Sequence, residues 1–406
     1  LNRLCENLYR DAELVNSLHG SDYPADKLND GWRIVLTNQF HDSLPGSHIT
    51  PVYQDLLEAF DQALEIGFSC RDAGLENLLQ TIDTSTCDGT PLAVFNTLGH
   101  ARSTLVQIEW PEENIQVIAP DGATVAHQFV DDLESGGNLL TFRADDVPGP
   151  GFKVFTIKEI ANSANSGRNG VKSTDTTLEN EFIQAVFNDQ GVLISLVEKE
   201  TGREAIDPEK HGNVMHLYED VPGKYEAWDL APSYTDVEFD IGQASIRKVA
   251  DGAVQAELDI TREFGSSKMV QRVILAAGSR RLDFNTWVDW KEQQKLLKVR
   301  FNTTINSRVA TYDIPYANIE RSAYRNNSFD EAKFEVAAHQ WMDMSQPDFG
   351  LSVLNDCKYG CEAFDGMLCL SLLRGPLNPD PESDQEEHHF TYSLMPHAGG
   401  WREART

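Results

Sequence analysis

Cysteine is scarce in this chain of 406 residues: there are six, at positions 5, 70, 87, 357, 361 and 369. That is too few for a disulfide framework at this length and favours a reducing compartment. Cys357 and Cys361 frame the run CKYGC, but no second Cys or His pair stands at zinc-finger spacing, which argues against a metal clip there. Basic residues are also short, 34 Lys and Arg against 64 Asp and Glu, for a formal net charge of -30. Such a balance opposes binding to nucleic acid or anionic lipid and reads as a soluble, self-repelling surface. No apolar run reaches the ~18 residues that a membrane-spanning helix needs. Also missing are a glycine-rich phosphate loop, a βαβ rhythm, an HExxH pair, a nucleophile elbow and a short repeat.

What is present is the composition of a globular protein, 40% apolar and 24% charged, long enough for two or three domains with cores of their own. Three helical segments are predicted in residues 1–88. The first opens in full stride with Leu1, Leu4, Leu8, Ala12, Val15 and Leu18, uncapped, as in a chain cut from something longer, and ends near His19-Gly20, where glycine offers a left-handed cap. The second is predicted from Pro24 to Asp42, with Leu28, Trp32, Val35 or Leu36, and Phe40 on its apolar face and Pro45-Gly46 as its stop. A third starts with Thr50 as N-cap and Pro51 at the first helical position, and continues, weakened at Gly67, toward Ile82.

From Pro91 the period shifts from near 3.6 to 2, and residues 89–160 read as short strands with a Pro-Gly-Pro-Gly turn between edge strands at 148–151. Residues 161–177 lack large apolar side chains and read as a linker. Beyond it, 181–187 and 192–199 form a hairpin around Asn188–Gly191, and residues 253–304 alternate through Leu258, Ile260, Val273, Phe284, Val288, Leu297, Val299 and Phe301. Long alternating strands with polar turns predict a large antiparallel sandwich.

Few residues stand out as carriers of chemistry. His41-Asp42 lies where the second helix runs out; by spacing alone a lone histidine there is more often structural, held by the helix dipole. It supplies one ligand where a catalytic zinc takes about three from the protein. His388 and His389 are neighbours on a predicted strand and so face opposite ways. Ser43 and Ser47 near His41 and His48 read as capping serines rather than nucleophiles. The stretch YEAWDL places Tyr225 and Trp228 beside Glu226 and Asp229, as sugar-binding surfaces do, although a tryptophan packed in a sheet core is the commoner outcome. The sequons at Asn302 and Asn326 carry little weight.

These residues lie in longer matching stretches. NQFHDSLPGSHITPVYQD, LENEFIQAVFNDQGVLISLVEKETGREAI, YEAWDL, VDWKEQQKLLKVRFNT, ATYDIPYANIERSAYRNNSFDEAKFEVAAHQWMDMS, GLSVLNDCKYG and SLLRGPLNPDPESDQEEHHFTYSLMPHAGGWRE resemble, in order, the middle and C-terminal region of class II α-mannosidases, glycoside hydrolase family 38, of the cytosolic and vacuolar type. The resemblance implies a multidomain α+β fold: a partial helical, three-helix-bundle-like domain at 1–88, a small β domain at 89–160, a linker at 161–177, and a large antiparallel, galactose-mutarotase-like supersandwich at 178–406, cut short at its C-terminus. It implies a parent enzyme that retains configuration while hydrolysing terminal α-mannosides through two carboxyl groups. In the family a divalent metal, zinc or cobalt, is bound mainly by a barrel that precedes this region; His41 matches its ligand from the helical domain, and Asp42 matches the acid that contacts mannose hydroxyls. Trp228 and Asp229 are further sugar-contact candidates.

On this reading the barrel, the nucleophile and the acid/base all lie outside this chain. The fragment carries no catalytic residue, holds metal poorly and is inactive by itself. Its partners are an α-mannoside oligosaccharide and the missing N-terminal catalytic domain, with neither nucleic acid nor membrane; homo-oligomerisation is left open. Cysteine usage and the likeness to the non-secreted branch point to the cytoplasm. Two alternatives stand beside it. One is a carbohydrate-binding or scaffolding β-sandwich protein without catalysis. The other is a mutarotase-like enzyme, which would be active in this chain alone and would aim His388 or His389 into a concave pocket.

Overall fold

A computed structural model describes residues 1–19, 23–133, 136–161 and 170–406, the His19 side chain excepted. The expected cap Gly20 lies outside the described residues. The chain divides into two compact units: Leu1–Asp132, Gly136–Gly167 and Asn378–Pro381 form the first, and Leu133–Ser135, Arg168–Leu377 and Glu382–Thr406 the second.

The first unit opens with three helices, α1 (Asn2–His19), α2 (Ala25–Asn38) and α3 (Thr50–Leu79). Their shared core holds Cys5, Tyr9, Ala12, Leu28, Val35, Leu56, Phe60, Ala63 and Cys70. Of the stripe expected on α1, Leu8, Ala12 and Val15 are buried, whereas Leu1, Leu4 and Leu18 are exposed. Glycines set the helix spacing. A Cβ on Gly67 would stand 2.7 Å from Leu8 Cδ2, so the residue expected to weaken α3 is one where α1 packs tightly against it, and α3 runs on unbroken. At Gly31 a Cβ would stand 1.8 Å from the Tyr9 hydroxyl oxygen, which donates to the Ala63 carbonyl at 2.6 Å. Gly31→Ala is therefore expected to destabilise the unit by about 1–3 kcal/mol in urea unfolding, despite alanine's better helix propensity.

Helix α2 ends at Asn38, not Asp42. The amides of Gln39 and Phe40 fold back onto Val35, Leu36 and Thr37, and those of Ser43 and Leu44 onto the Phe40 carbonyl, so the chain turns before it reaches Pro45-Gly46. Leu28, Gly31, Val35 and Asn38 make the buried face, while Leu36 and Phe40 point outward.

The remainder of this unit is a small sandwich. Thr90–Asn96, Gly151–Glu159, Ile115–Ile118 and Thr124–Val125 pair in that order, as do Arg102–Glu109, Asn138–Val147 and His127–Asp131. Both sheets enclose Ile115, Val117, Leu140, Phe142, Phe155 and Ile157. The turn at 148–151 joins the inner strands Asn138–Val147 and Gly151–Glu159 rather than edge strands. A Cβ on Gly149 would collide with the His100 and Leu98 carbonyls, at 2.1 and 2.3 Å, which accounts for glycine there.

Residues 162–169 of the expected linker lie outside the described residues. Its last part already belongs to the second unit, where Val171 is buried and Lys172–Ser173 is a strand. The hairpin is present as Ile183–Phe187 with Leu193–Glu198, turned by Asn188, whose side chain accepts from the amides of Gln190 and Val192. A nine-stranded antiparallel sheet runs Ala244–Asp251, Gln255–Phe264, Ser267–Ala276, Leu282–Asp289, Glu387–Ala398, Phe349–Asn355, Trp341–Gln346, Val309–Ile314, Ala317–Ser322. A six-stranded sheet centres on Lys295–Asn302 and Met367–Arg374. Leu297, Val299, Phe301, Leu368 and Leu370 from the six share one core with Leu258, Ile260, Val273, Phe284 and Tyr392 from the nine. The expected alternation over 253–304 is thus the inner lining of a large sandwich.

Candidate functional site

His41 sits in the turn after α2 with 74% of its side chain exposed. Its Nε2 lies 3.6 Å from Asp42 Oδ2, and its ring lies 4.2 Å from that of Phe40. Asp42 is the better fixed of the two, because its Oδ1 accepts from Oγ of buried Ser47 at 3.3 Å. The arrangement holds a carboxylate still and leaves an imidazole in solvent. Ser47 is therefore committed to Asp42 rather than to a base, and His48 Nδ1 meets the Ile49 carbonyl at 3.3 Å with its ring over Tyr53. Neither serine–histidine pairing is set up for nucleophilic attack.

Among the described residues no group of three His, Cys, Asp or Glu side chains can hold a metal. His41 belongs to no such group. The CKYGC cysteines belong to no such group either, and burial pushes the Cys357 thiol up to about 11 and that of Cys361 higher still. His388 Nε2 meets the Asp384 carbonyl at 2.9 Å, a local bond. His389, next on the strand, is exposed.

Trp228 is not in a core. It projects from a loop with 60% exposure beside Tyr225 at 59%, the rings 6.2 Å apart and 26° from parallel. The loop beneath them is firmly held. Buried Glu226 accepts from Gln294 Nε2 at 2.9 Å and from the Leu377 amide at 2.7 Å. Arg374 Nη2 donates to the carbonyls of Glu226 and Asp229, each at 2.8 Å, and its Nε to Asp220 at 2.5 Å. Asp229 spends one carboxylate oxygen on the amide of Leu230 and stays exposed. A fixed loop that presents two stacked, exposed rings suits stacking on a pyranose face.

Two buried polar clusters have no signal in sequence spacing. Asp343, Ser352 and His397 meet on one face of the nine-stranded sheet, with His397 Nε2 2.9 Å from Asp343 Oδ2 and 3.3 Å from Ser352 Oγ. This is not a catalytic triad: one nitrogen faces both partners, so a proton shared with Asp343 leaves nothing to accept from Ser352, and Nδ1 is buried without a partner. The second cluster surrounds Lys298, which is fully buried and donates to Glu335 at 2.5 Å, Tyr234 at 3.0 Å and Glu362 at 3.2 Å. Burial alone would lower its pKa, but Cys369, Glu335, Glu362 and Tyr234 around it reverse this and hold the ammonium well above its ordinary range. The Cys369 thiol is itself pushed up to about 12 by burial, so at neutral pH the carboxylates are the counter-charges.

Residues 178–382 match the glycosyl hydrolases family 38 C-terminal domain, and residues 1–78 the alpha mannosidase middle domain. The first match alone takes in half of the chain, and the chain belongs to glycosyl hydrolase family 38. Alpha-mannosidase 2C1 of Mus musculus and of Homo sapiens are each 33% identical to it over 415 residues, which is 99% of this chain and 37% of theirs. Alpha-mannosidase G of Dictyostelium discoideum is 30% identical over 99% of this chain and 40% of its own. The chain thus spans little more than a third of these relatives. An alpha-mannosidase structure from Enterococcus faecalis V583 superposes on the whole chain and on 54% of its own, with a TM-score of 0.83 at 20% identity, which establishes the shared fold. Among the described residues no helix is long and apolar enough to cross a membrane.

Proposed function

We propose that this chain is the middle and C-terminal region of a cytoplasmic, metal-dependent α-mannosidase that retains configuration while hydrolysing terminal α-mannosides. The supporting observation is the ordered match of residues 1–78 to the alpha mannosidase middle domain and of residues 178–382 to the glycosyl hydrolases family 38 C-terminal domain. On this proposal the nucleophile, the acid/base and the other ligands of one zinc or cobalt ion lie on sequence outside this chain. His41 donates one ligand to that centre and Asp42 accepts from sugar hydroxyls, which suits an acceptor-only carboxylate already steadied by Ser47. Trp228, backed by Tyr225 and flanked by Asp229, offers a ring for stacking. The six cysteines, all free thiols, agree with a reducing compartment.

The test is the anomer first released from an aryl α-mannoside by the complete protein, followed by NMR. The α-product is expected; the β-product would overturn the retaining mechanism. Trp228→Ala in the same protein should raise KM about 5- to 10-fold, a stacking contribution of ~1 kcal/mol, while its exposure leaves the melting temperature unchanged. A second reading, sugar binding without hydrolysis, draws on the exposed Tyr225–Trp228 pair; it predicts saccharide binding by the complete protein with no turnover.

A further inference from the structure

Helix α3 begins without a cap of its own. The residue before it, Ile49, stands at φ -91° and ψ 158° with a side chain that cannot accept a hydrogen bond, and the first turn carries no acid. Thr50, expected from the sequence as the N-cap, lies inside the helix. Its hydroxyl instead donates to Asp380 Oδ1 at 2.6 Å, across 330 residues of sequence. A carboxylate near a helix N-terminus is favoured by the dipole, and a short bond to an ionised acceptor is of the stronger kind. Asp380 is 4% exposed, and its loop, Asn378–Pro381, groups with the first unit. Pro379 and Pro381 flank it, fixing the backbone before it and barring a helical conformation at Asp380 itself. The carboxylate is therefore presented from stiff chain.

The segment that this bond terminates is the one carrying His41 and Asp42. Residues 40–49 form a run of turns without regular structure. At its near end Gln39 Nε2 donates to Asn2 Oδ1 at 3.0 Å and Glu6 Oε1 at 3.1 Å, which ties the start of the run to α1. At its far end the tie is Thr50 to Asp380. Between them, Ser47 to Asp42 is the internal brace. A segment pinned at both ends keeps its exposed imidazole within a narrow range of positions; released at one end, it does not.

We propose that Asp380 is a positioning residue for the His41–Asp42 turn, acting through Thr50. The proposal rests on the reading of that turn as a metal- and sugar-facing edge. Its test uses the complete protein, with zinc affinity measured by chelator competition alongside kcat and KM on an aryl α-mannoside and the melting temperature. Asp380→Ala and Thr50→Val should each weaken zinc binding ~10-fold, while Thr50→Ser, which keeps the hydroxyl, stays within about two-fold of the parent. The double variant should be no worse than Asp380→Ala alone, because the bond that Thr50→Val removes is already gone there. Variants that melt lower yet bind zinc and substrate like the parent would make the contact merely structural and overturn the proposal. If Asp380→Ala fails to fold, the contrast between Thr50→Val and Thr50→Ser decides. His41→Ala separates the two levels: unchanged zinc affinity there refutes the reading of the turn itself, whereas zinc lost there but kept in the Asp380 and Thr50 variants refutes positioning alone.

Discussion

His41→Ala in the complete protein is expected to lower metal content and α-mannoside turnover together, turnover by at least ~100-fold, with no measurable loss of stability. The magnitude follows from metal sites in which even the partners of ligands are worth about 10- to 100-fold. The absence of a stability effect follows from the structure: 74% of the side chain is exposed, and its ring contact is with Phe40, which is itself exposed. Elemental analysis of the purified variant beside its melting curve checks both halves. A variant with full metal occupancy would remove His41 from the ligand set.

Lys298→Met should have the largest effect on folding. Lys298 and Arg325 balance Glu335 and Glu362, since Arg325 Nη2 donates to Glu362 Oε1 at 2.5 Å while Lys298 serves both carboxylates. Methionine fills much of the lysine's volume but leaves one buried negative charge unmatched, a loss of about 3–5 kcal/mol. The companion Glu335→Gln restores neutrality, keeps an acceptor for Ser371 and should recover much of that loss. Guanidinium unfolding of the two variants beside the parent reads this directly, and equal stability of the single and double variants would show that charge balance is not what the cluster provides. The pH dependence has a definite sign. A lysine held above its ordinary pKa contributes its full stability below about 10.4, the unfolded value, and loses it as pH rises through the folded value. The parent should therefore weaken on the alkaline side in a way that the double variant does not.

Lys298 also shows where reading the sequence stops. Within LLKVRF the alternation correctly turns Leu297, Val299 and Phe301 into the core and Lys298 away from it. A period of two identifies the face, however, and not whether that face is covered. Here Tyr234, from a short 3-10 helix at Tyr234–Asp236, and Glu335, from a bend, close over it from distant parts of the chain. The same limit governs Asp343, Ser352 and His397, whose meeting depends on strand order rather than spacing. Local rules also missed the end of α2, where backbone amides turn back at Gln39 before Pro45 can act. Trp228 reversed the commoner expectation for a tryptophan because the loop that Glu226 and Arg374 fix presents it to solvent. For His41 and Asp42, spacing favoured a structural role, and it is the family resemblance, extending over nearly the whole chain, that gives the pair its proposed function.

On the proposed function this chain carries a metal ligand, a sugar contact and a scaffold, but not the groups that cleave the glycosidic bond. The most direct measurement is hydrolysis of an aryl α-mannoside by the purified chain beside the complete protein, each with zinc or cobalt added. Turnover by the complete protein and none above buffer by the chain is the predicted result. Robust, metal-stimulated turnover by these 406 residues alone would contradict it.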